Sequence, residues 1–189
     1  MLTPLLKEKL THYFNLLDYD NNGTIEKEDF TAIAENLCVL WRFKEGTEKY
    51  NHYMYVFGQS WIDFRNLVDH SDPDHATLDE WLDFADKHIV NGSEEFFDKY
   101  IGMQMREIFD CFDANGDGYI SLDEYIDLFM AYRIEVRYSA KSYIRLDLNQ
   151  DDLLSRDELF SAINEFFCSD DPLAPGNWLY GFWSEERTV

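Results

Sequence analysis

Apolar residues recur at intervals of three and four along most of the chain, and four polar, acid-rich stretches interrupt them. Such spacing predicts helices, because residues three or four apart share one face of an α-helix. Leu6, Leu10, Tyr13, Phe14 and Leu17 form the first stripe, behind a Pro4 suited to an opening helical turn. After the polar stretch Asp18 to Asp29 comes a second stripe of Phe30, Ile33, Ala34, Leu37, Cys38 and Trp41. Tyr53, Phe57, Trp61, Phe64 and Val68 mark a long third helix, and Trp81, Leu82, Phe84, Ala85 and Ile89 a fourth beyond Asp69 to Glu80. Gly92 closes that helix, and Ser93 with Glu94 and Glu95 reads as the cap and acidic first turn of the next. Phe96, Phe97, Tyr100, Ile101, Met105, Ile108, Phe109 and Phe112 carry the fifth helix to Asp113. Tyr125, Leu128, Phe129 and Tyr132, then Tyr143, Ile144 and Leu146, then Leu159, Ile163, Phe166 and Phe167 complete the series. The pattern predicts an all-α chain of eight helices around four loops, in two pairs: residues 1–92, residues 93–168, and a tail of residues 169–189 on the core. No Pro/Gly/Ser-rich linker separates the pairs, so they are expected to pack together.

The loops carry the chemistry. In the third, Asp113, Asn115, Asp117, Ser121 and Glu124 place oxygen side chains at positions 1, 3, 5, 9 and 12. Those offsets resemble an EF-hand. Calcium is a hard cation that takes about six to eight oxygens, so alternate residues of a tight turn point inward. The Tyr119 carbonyl joins them from position 7, and Glu124 can chelate with both oxygens. Gly118 suits the left-handed turn at position 6, Ile120 a short strand to the partner loop, and Ser121 with Glu124 a capping box. The fourth loop repeats the ligand types with Asp147, Asn149, Asp151, the Leu153 carbonyl and Glu158, starting 34 residues after the third. Asp152 replaces its position-6 glycine, a tolerable exchange because Asp visits the left-handed region more readily than most residues. The first loop offers Asp18, Asp20, Asn22, the Thr24 carbonyl and Asp29. Asp29 is one methylene shorter than Glu, which lowers coordination toward six and favours magnesium.

The second loop departs from this pattern. Framed from Asp69 to Glu80 it has Ser71 at position 3, Pro73 at 5, Asp74 in place of glycine, His75 at 7 and Ala76 at 8. It reads as a vestigial hand that keeps the fold and pairs with the first. His70 and His75 beside Asp69 and Asp72 read as exposed loop residues in preference to a transition-metal site.

Composition narrows the function classes. With 16 Lys and Arg against 38 Asp and Glu the net charge is -22, which repels nucleic-acid phosphates and anionic membranes. Bound cations would relieve the same repulsion. No apolar run approaches the ~20 residues needed to cross a bilayer. The start Met1-Leu2-Thr3-Pro4 has no basic, apolar leader pattern and no glycine for myristoylation, so a cytoplasmic, monomeric protein is expected. Cys38, Cys111 and Cys168 lie in apolar stretches without a CxxC pair and read as reduced core fillers. Neither GxSxG, HExxH nor a nucleotide-binding glycine loop is present, so catalysis is not expected.

Over essentially its whole length the chain resembles the sarcoplasmic calcium-binding proteins and their relative calexcitin. Three matching features carry the resemblance: a degenerate second hand, a first loop ending in Asp29, and the run Asp171-Pro172-Leu173-Ala174-Pro175-Gly176-Asn177-Trp178-Leu179-Tyr180-Gly181. It implies a compact globule with the tail packed between the halves, acting as a Ca2+/Mg2+ buffer or a calcium-signalling protein. The tail departs from the family by running on through Phe182 and Trp183 to Val189. Five Met beside 17% aromatic residues suit a committed core better than the flexible groove of a partner-binding sensor. The fold is similar also to coelenterazine-dependent photoproteins and luciferin-binding proteins, which hold their ligand in an aromatic cavity. His12, Trp61, Trp81, Trp178 and Tyr180 are the candidates to line one here. Against it, Leu10 stands where the photoproteins have a first-helix His, and Val189 where they have a terminal proline.

Overall fold

A computed structural model describes residues 1–68 and 72–181, and gives only the backbone of Glu94, Asp98, Tyr100, Met103, Gln104, Met105 and Glu107. Asp69, His70 and Ser71 of the second loop, and Phe182 to Val189, lie outside the described residues.

Helix α1 (Pro4–Leu17) starts where expected: Pro4 fills its first turn, and the Thr3 hydroxyl accepts the Leu6 N–H at 3.2 Å. It buries Leu6, Leu10, Tyr13, Phe14 and Leu17, and ends as the Asp18 N–H donates to the Phe14 carbonyl at 2.8 Å. Strand β1 (Thr24–Ile25) leads into α2 (Lys27–Leu40), and after a turn α3 (Glu48–Leu67) packs back against it. Strand β2 (Ala76–Thr77) precedes α4 (Leu78–Phe84), whose last turn widens into a π-helical stretch, Ala85–Val90. The fifth rod is continuous: α5 (Glu94–Phe96), a π-helical stretch Phe97–Gly102, then α6 (Met103–Phe112). Each π-helical stretch is only 6 residues long, too short for its wider period to show in the apolar pattern. Strand β3 (Tyr119–Ile120), α7 (Leu122–Ala131), α8 (Ser139–Leu146), β4 (Leu154–Ser155) and α9 (Arg156–Cys168) follow, then a 3-10 turn, Pro175–Trp178.

Two tiny antiparallel ladders join the loops. In one, Ile25 sits opposite Ala76; in the other, Ile120 sits opposite Leu154. Both pairings set position 8 against position 8, so the Asp69–Glu80 frame of the second loop is the one the fold uses. The two halves share one apolar cluster, with α2 against α7 and α1 against both α4 and α9. Buried aromatic polar groups bond backbone carbonyls across the core, as the Tyr53 hydroxyl does to Cys111 at 2.7 Å and the Trp81 ring nitrogen to Leu10 at 2.9 Å. Cys38 and Cys111 are buried and Cys168 half-buried, all unbridged.

The segment after α9 folds back over the core. A Cβ on Gly176 would stand 2.3 Å from the Ala162 carbonyl oxygen, so only glycine allows this approach. Leu179 and Tyr180 are buried; the Leu179 carbonyl accepts from the Tyr125 hydroxyl at 2.7 Å, and the Tyr180 carbonyl lies 3.0 Å from His12 Nε2. Lys9 is fully buried and donates to the Glu165 carbonyl at 2.9 Å, the Ser169 carbonyl at 2.7 Å and Asn177 Oδ1 at 3.0 Å. One α1 side chain thus caps the end of α9 and pins the tail. Replacing it by Lys9→Met keeps the stem but leaves one buried and two part-buried acceptors without this donor, so we expect a loss of about 2–3 kcal/mol, read by urea unfolding. A variant as stable as the parent would show that the ammonium contributes nothing net.

Candidate metal centre

The first, third and fourth loops begin on the residue that caps a helix, Asp18, Asp113 and Asp147, and close on the first turn of the next. In the third, Asp113 Oδ1 accepts the Gly116 and Asp117 N–H groups at 2.8 and 3.1 Å, and Oδ2 the Gly118 N–H at 2.9 Å. Asn115 Oδ1 accepts from the Asp117 N–H at 2.8 Å, and Asp117 Oδ1 from Tyr119 at 2.9 Å. Glu124 reaches back across the loop: Oε1 takes the Ala114 and Asn115 N–H groups at 3.0 and 3.3 Å, and Oε2 the Ser121 N–H and hydroxyl at 2.9 and 2.8 Å. The capping box expected at Ser121 and Glu124 is formed.

The fourth loop repeats this frame. Asp147 holds the Gln150, Asp151 and Asp152 N–H groups at 2.8, 3.2 and 3.0 Å, and Asn149 and Asp151 hold the amides two residues on, at 2.9 and 3.0 Å. Glu158 accepts from Leu148, Asn149 and Ser155, as Glu124 does in its own loop. Burial raises the Glu158 carboxyl, but these hydrogen bonds outweigh it and hold the group below the usual carboxylate range. Tyr143 ties the two loops together, its hydroxyl donating to the carbonyls of Ile120 and Asp152 at 2.9 Å each.

In the first loop Asp18 accepts the Asn22 and Gly23 N–H groups at 3.0 and 2.9 Å, and Asp20 takes the Asn22 N–H at 3.0 Å. Asn22 Oδ1 accepts from the Thr24 N–H at 2.8 Å, and Asp29 from the Tyr19 and Glu26 N–H groups at 2.9 and 2.7 Å. One oxygen each of Asp18, Asp20 and Asp29 lies within 4.8 Å of the others, the one such acidic group among the described residues. Burial pushes the Asp29 carboxyl above its ordinary range and the charge of Asp20 adds to this, against the amides of Glu26, Tyr19 and Asp20. A cation there would supply the missing positive charge.

The backbone separates the three loops from the second. Positions 4 and 6 are left-handed in the first loop at Asn21 (φ 59°) and Gly23 (φ 90°), in the third at Gly116 (φ 75°) and Gly118 (φ 87°), and in the fourth at Gln150 (φ 61°) and Asp152 (φ 64°). Those turns aim successive N–H groups at the position-1 carboxylate and bring the side chains of positions 3 and 5 round to the same side. Asp74, at position 6 of the second loop, does not adopt this conformation. There Asp72 caps the Asp74 N–H at 2.9 Å, and His75 spans Asp72 and Glu26 at 3.4 Å from each.

Thr24 and Tyr119 open the paired strands, and Leu153 directly precedes one. Sequence reasoning passed over Glu26, whose Oε1 accepts from Asn22 Nδ2 at 2.9 Å and the Thr24 hydroxyl at 3.1 Å. Its position-9 placement was the available signal.

The sequence profile of a family described as EF-hand domain pair matches residues 7–130. Calerythrin of Saccharopolyspora erythraea is 23% identical over 166 residues, covering 88% of this chain and 94% of its own. The sarcoplasmic calcium-binding protein alpha chain of Penaeus vannamei is 28% identical over 111 residues, and the match spans 58% of each chain. Among solved structures, a coelenterazine-binding protein from Renilla muelleri has a TM-score of 0.76 at 22% identity, over 95% of this chain and 99% of its own. An amphioxus sarcoplasmic calcium-binding protein has a TM-score of 0.73 at 18% identity, over 96% and 99%. At those identities the structural likeness concerns the fold.

Asp152 carries the strain of the fourth loop, since a side chain at φ 64° meets its own backbone. Asp152→Val should lose about 1–2 kcal/mol in metal-free urea unfolding, whereas Asp152→Gly should match or exceed the parent. Equal losses for both would mean that the side chain, and not the turn, matters here.

Proposed function

Because the chain belongs to the EF-hand domain pair family, we propose that it is a calcium-binding protein with sites in its first, third and fourth loops. The observation that carries this reading is the shared cage: left-handed turns at positions 4 and 6 in those three loops, whereas Asp74 at position 6 of the second is not left-handed. The ligand sets are Asp18, Asp20, Asn22, the Thr24 carbonyl and Asp29; Asp113, Asn115, Asp117, the Tyr119 carbonyl and Glu124; and Asp147, Asn149, Asp151, the Leu153 carbonyl and Glu158. Division into residues 1–92, 93–168 and 169–189 belongs to the same proposal, supported by the strand pairing within each pair of loops.

The role we propose is that of a cytoplasmic, monomeric Ca2+/Mg2+ buffer or calcium-signalling protein. Its support is the commitment of apolar surface: Tyr125 beside the third loop is fully buried and bonded to Leu179, so the tail already occupies the face a sensor would open. None of the described helices is long and apolar enough to cross a membrane. Magnesium is assigned to the first loop on the shorter reach of Asp29. A luciferin-binding role finds less support in the packing. Trp61 packs against Phe30 and Phe64, Trp178 against Arg145, and the apolar cavity between Tyr125, Leu179 and Tyr180 holds about 30 Å³. Ligand pockets for drug-sized molecules run to about 300 Å³ or more.

Isothermal titration should resolve three calcium sites, with magnesium competing most strongly at the first; one site or none would overturn the proposal. Asp29→Glu restores the longer chelating arm, and should shift the first site toward calcium by roughly tenfold over magnesium, measured by the same competition. An unchanged ratio would remove Asp29 as the selectivity determinant.

A further inference from the structure

The first loop is held from the other half of the molecule. Tyr19, at its second position, donates its N–H to Asp29 Oδ1 at 2.9 Å and so helps to aim the last ligand. That tyrosine is clasped at three further points. The Arg133 guanidinium bonds the Tyr19 carbonyl and lies 3.7 Å from the centre of its ring. Asn36, on α2, donates Nδ2 to the Tyr19 hydroxyl at 2.6 Å and to the Ala131 carbonyl at 3.2 Å. Ala131 is the last residue of α7 and Arg133 stands in the left-handed turn that closes it, with φ 55° and the Ile134 N–H bonded to the Phe129 carbonyl at 2.7 Å. At its other end α7 carries Glu124, the position-12 residue of the third loop.

We propose that Arg133 and Asn36 are positioning residues for the first loop, and that through them α7 makes cation affinity at the first loop depend on occupancy of the third. The inference rests on the calcium sites proposed above. A cation chelated by Glu124 fixes the first turn of α7. A helix transmits that placement along its axis, here over roughly 10 Å. Arg133 and the Ala131 carbonyl are then set against Tyr19 before the first loop binds, so less of that loop remains to be ordered. Linkage requires the reverse effect to have the same size: occupancy of the first loop tightens the third by an equal factor.

A plain electrostatic account predicts the opposite sign for the key variant. Arg133→Ala removes a positive charge beside an anionic loop, which by Coulomb's law strengthens cation binding there. Loss of positioning weakens it. Calcium titrations of the full chain separate the two, with the first site identified by its disappearance in Asp29→Ala. Arg133→Ala should weaken the first site about fivefold or more, Asn36→Ala should weaken it in the same direction, and Arg42→Ala, the matching turn after α2, should not weaken it. Glu124→Gln disables the third site and should weaken the first about fivefold in the parent, but less than twofold in the Arg133→Ala background. A first site that tightens in Arg133→Ala, or that responds equally to Glu124→Gln in both backgrounds, overturns the inference while leaving the calcium sites standing. A first loop that takes no calcium in the parent overturns the inference together with the reading beneath it.

Discussion

Carboxylates crowded into one short turn repel one another, and backbone amides are what hold them in place. In three loops the position-1 aspartate gathers N–H groups from the residues at positions 5 and 6, as Asp113 does from Asp117 and Gly118. Charge-assisted bonds of this kind are about twice as strong as neutral ones, and they fix the direction of the oxygens left over. In each of these loops the arrangement accompanies two left-handed residues within three. Around Pro73 and Asp74, where position 6 is not left-handed, a similar acidic composition gives a loop bridged by His75 instead. Acidity alone is therefore not the determinant; backbone conformation decides which acids face inward.

The short ladders spread this constraint beyond each loop. Because Ile25 pairs with Ala76, the second loop braces the first even though its own turn is of a different kind. Tyr143 does similar work in the other pair from beneath, bonding one carbonyl from each loop. Behind the loops the aromatic rings interlock: Tyr13 meets Trp81, Phe166, Phe167 and Tyr180 at centroid distances of 5.0 to 6.4 Å. These contacts draw on α1, α4, α9 and the tail together, so displacing one element disturbs the others.

Much of this was legible in the sequence because it depends on local spacing. The stripe from Leu6 to Leu17, the capping box at Ser121 and the left-handed Asp152 each follow from residues a few positions apart. The second loop's frame was not fixed by its residues alone; the pairing of Ile25 with Ala76 sets it. What escaped depends on partners distant in sequence. Lys9 stands outside the apolar stripe of its helix, yet it is fully buried because three carbonyl oxygens from the far end of the chain meet it there. Arg133 and Tyr19 are separated by 114 residues, and no periodicity points from one to the other. The π-helical stretches were invisible for a different reason, since 6 residues are too few to reveal a period wider than that of ordinary helix.

The buried ammonium of Lys9 also bears on the order in which the molecule can assemble. Ribosomes release a chain from its first residue onward, and Glu165, Ser169 and Asn177 emerge long after α1. Until they arrive, a charge in the first helix lacks those acceptors, and desolvating it against the forming core is unfavourable. Full burial of that ammonium therefore requires the end of the chain to be present. Final closure of the globule is a docking of its beginning onto its end.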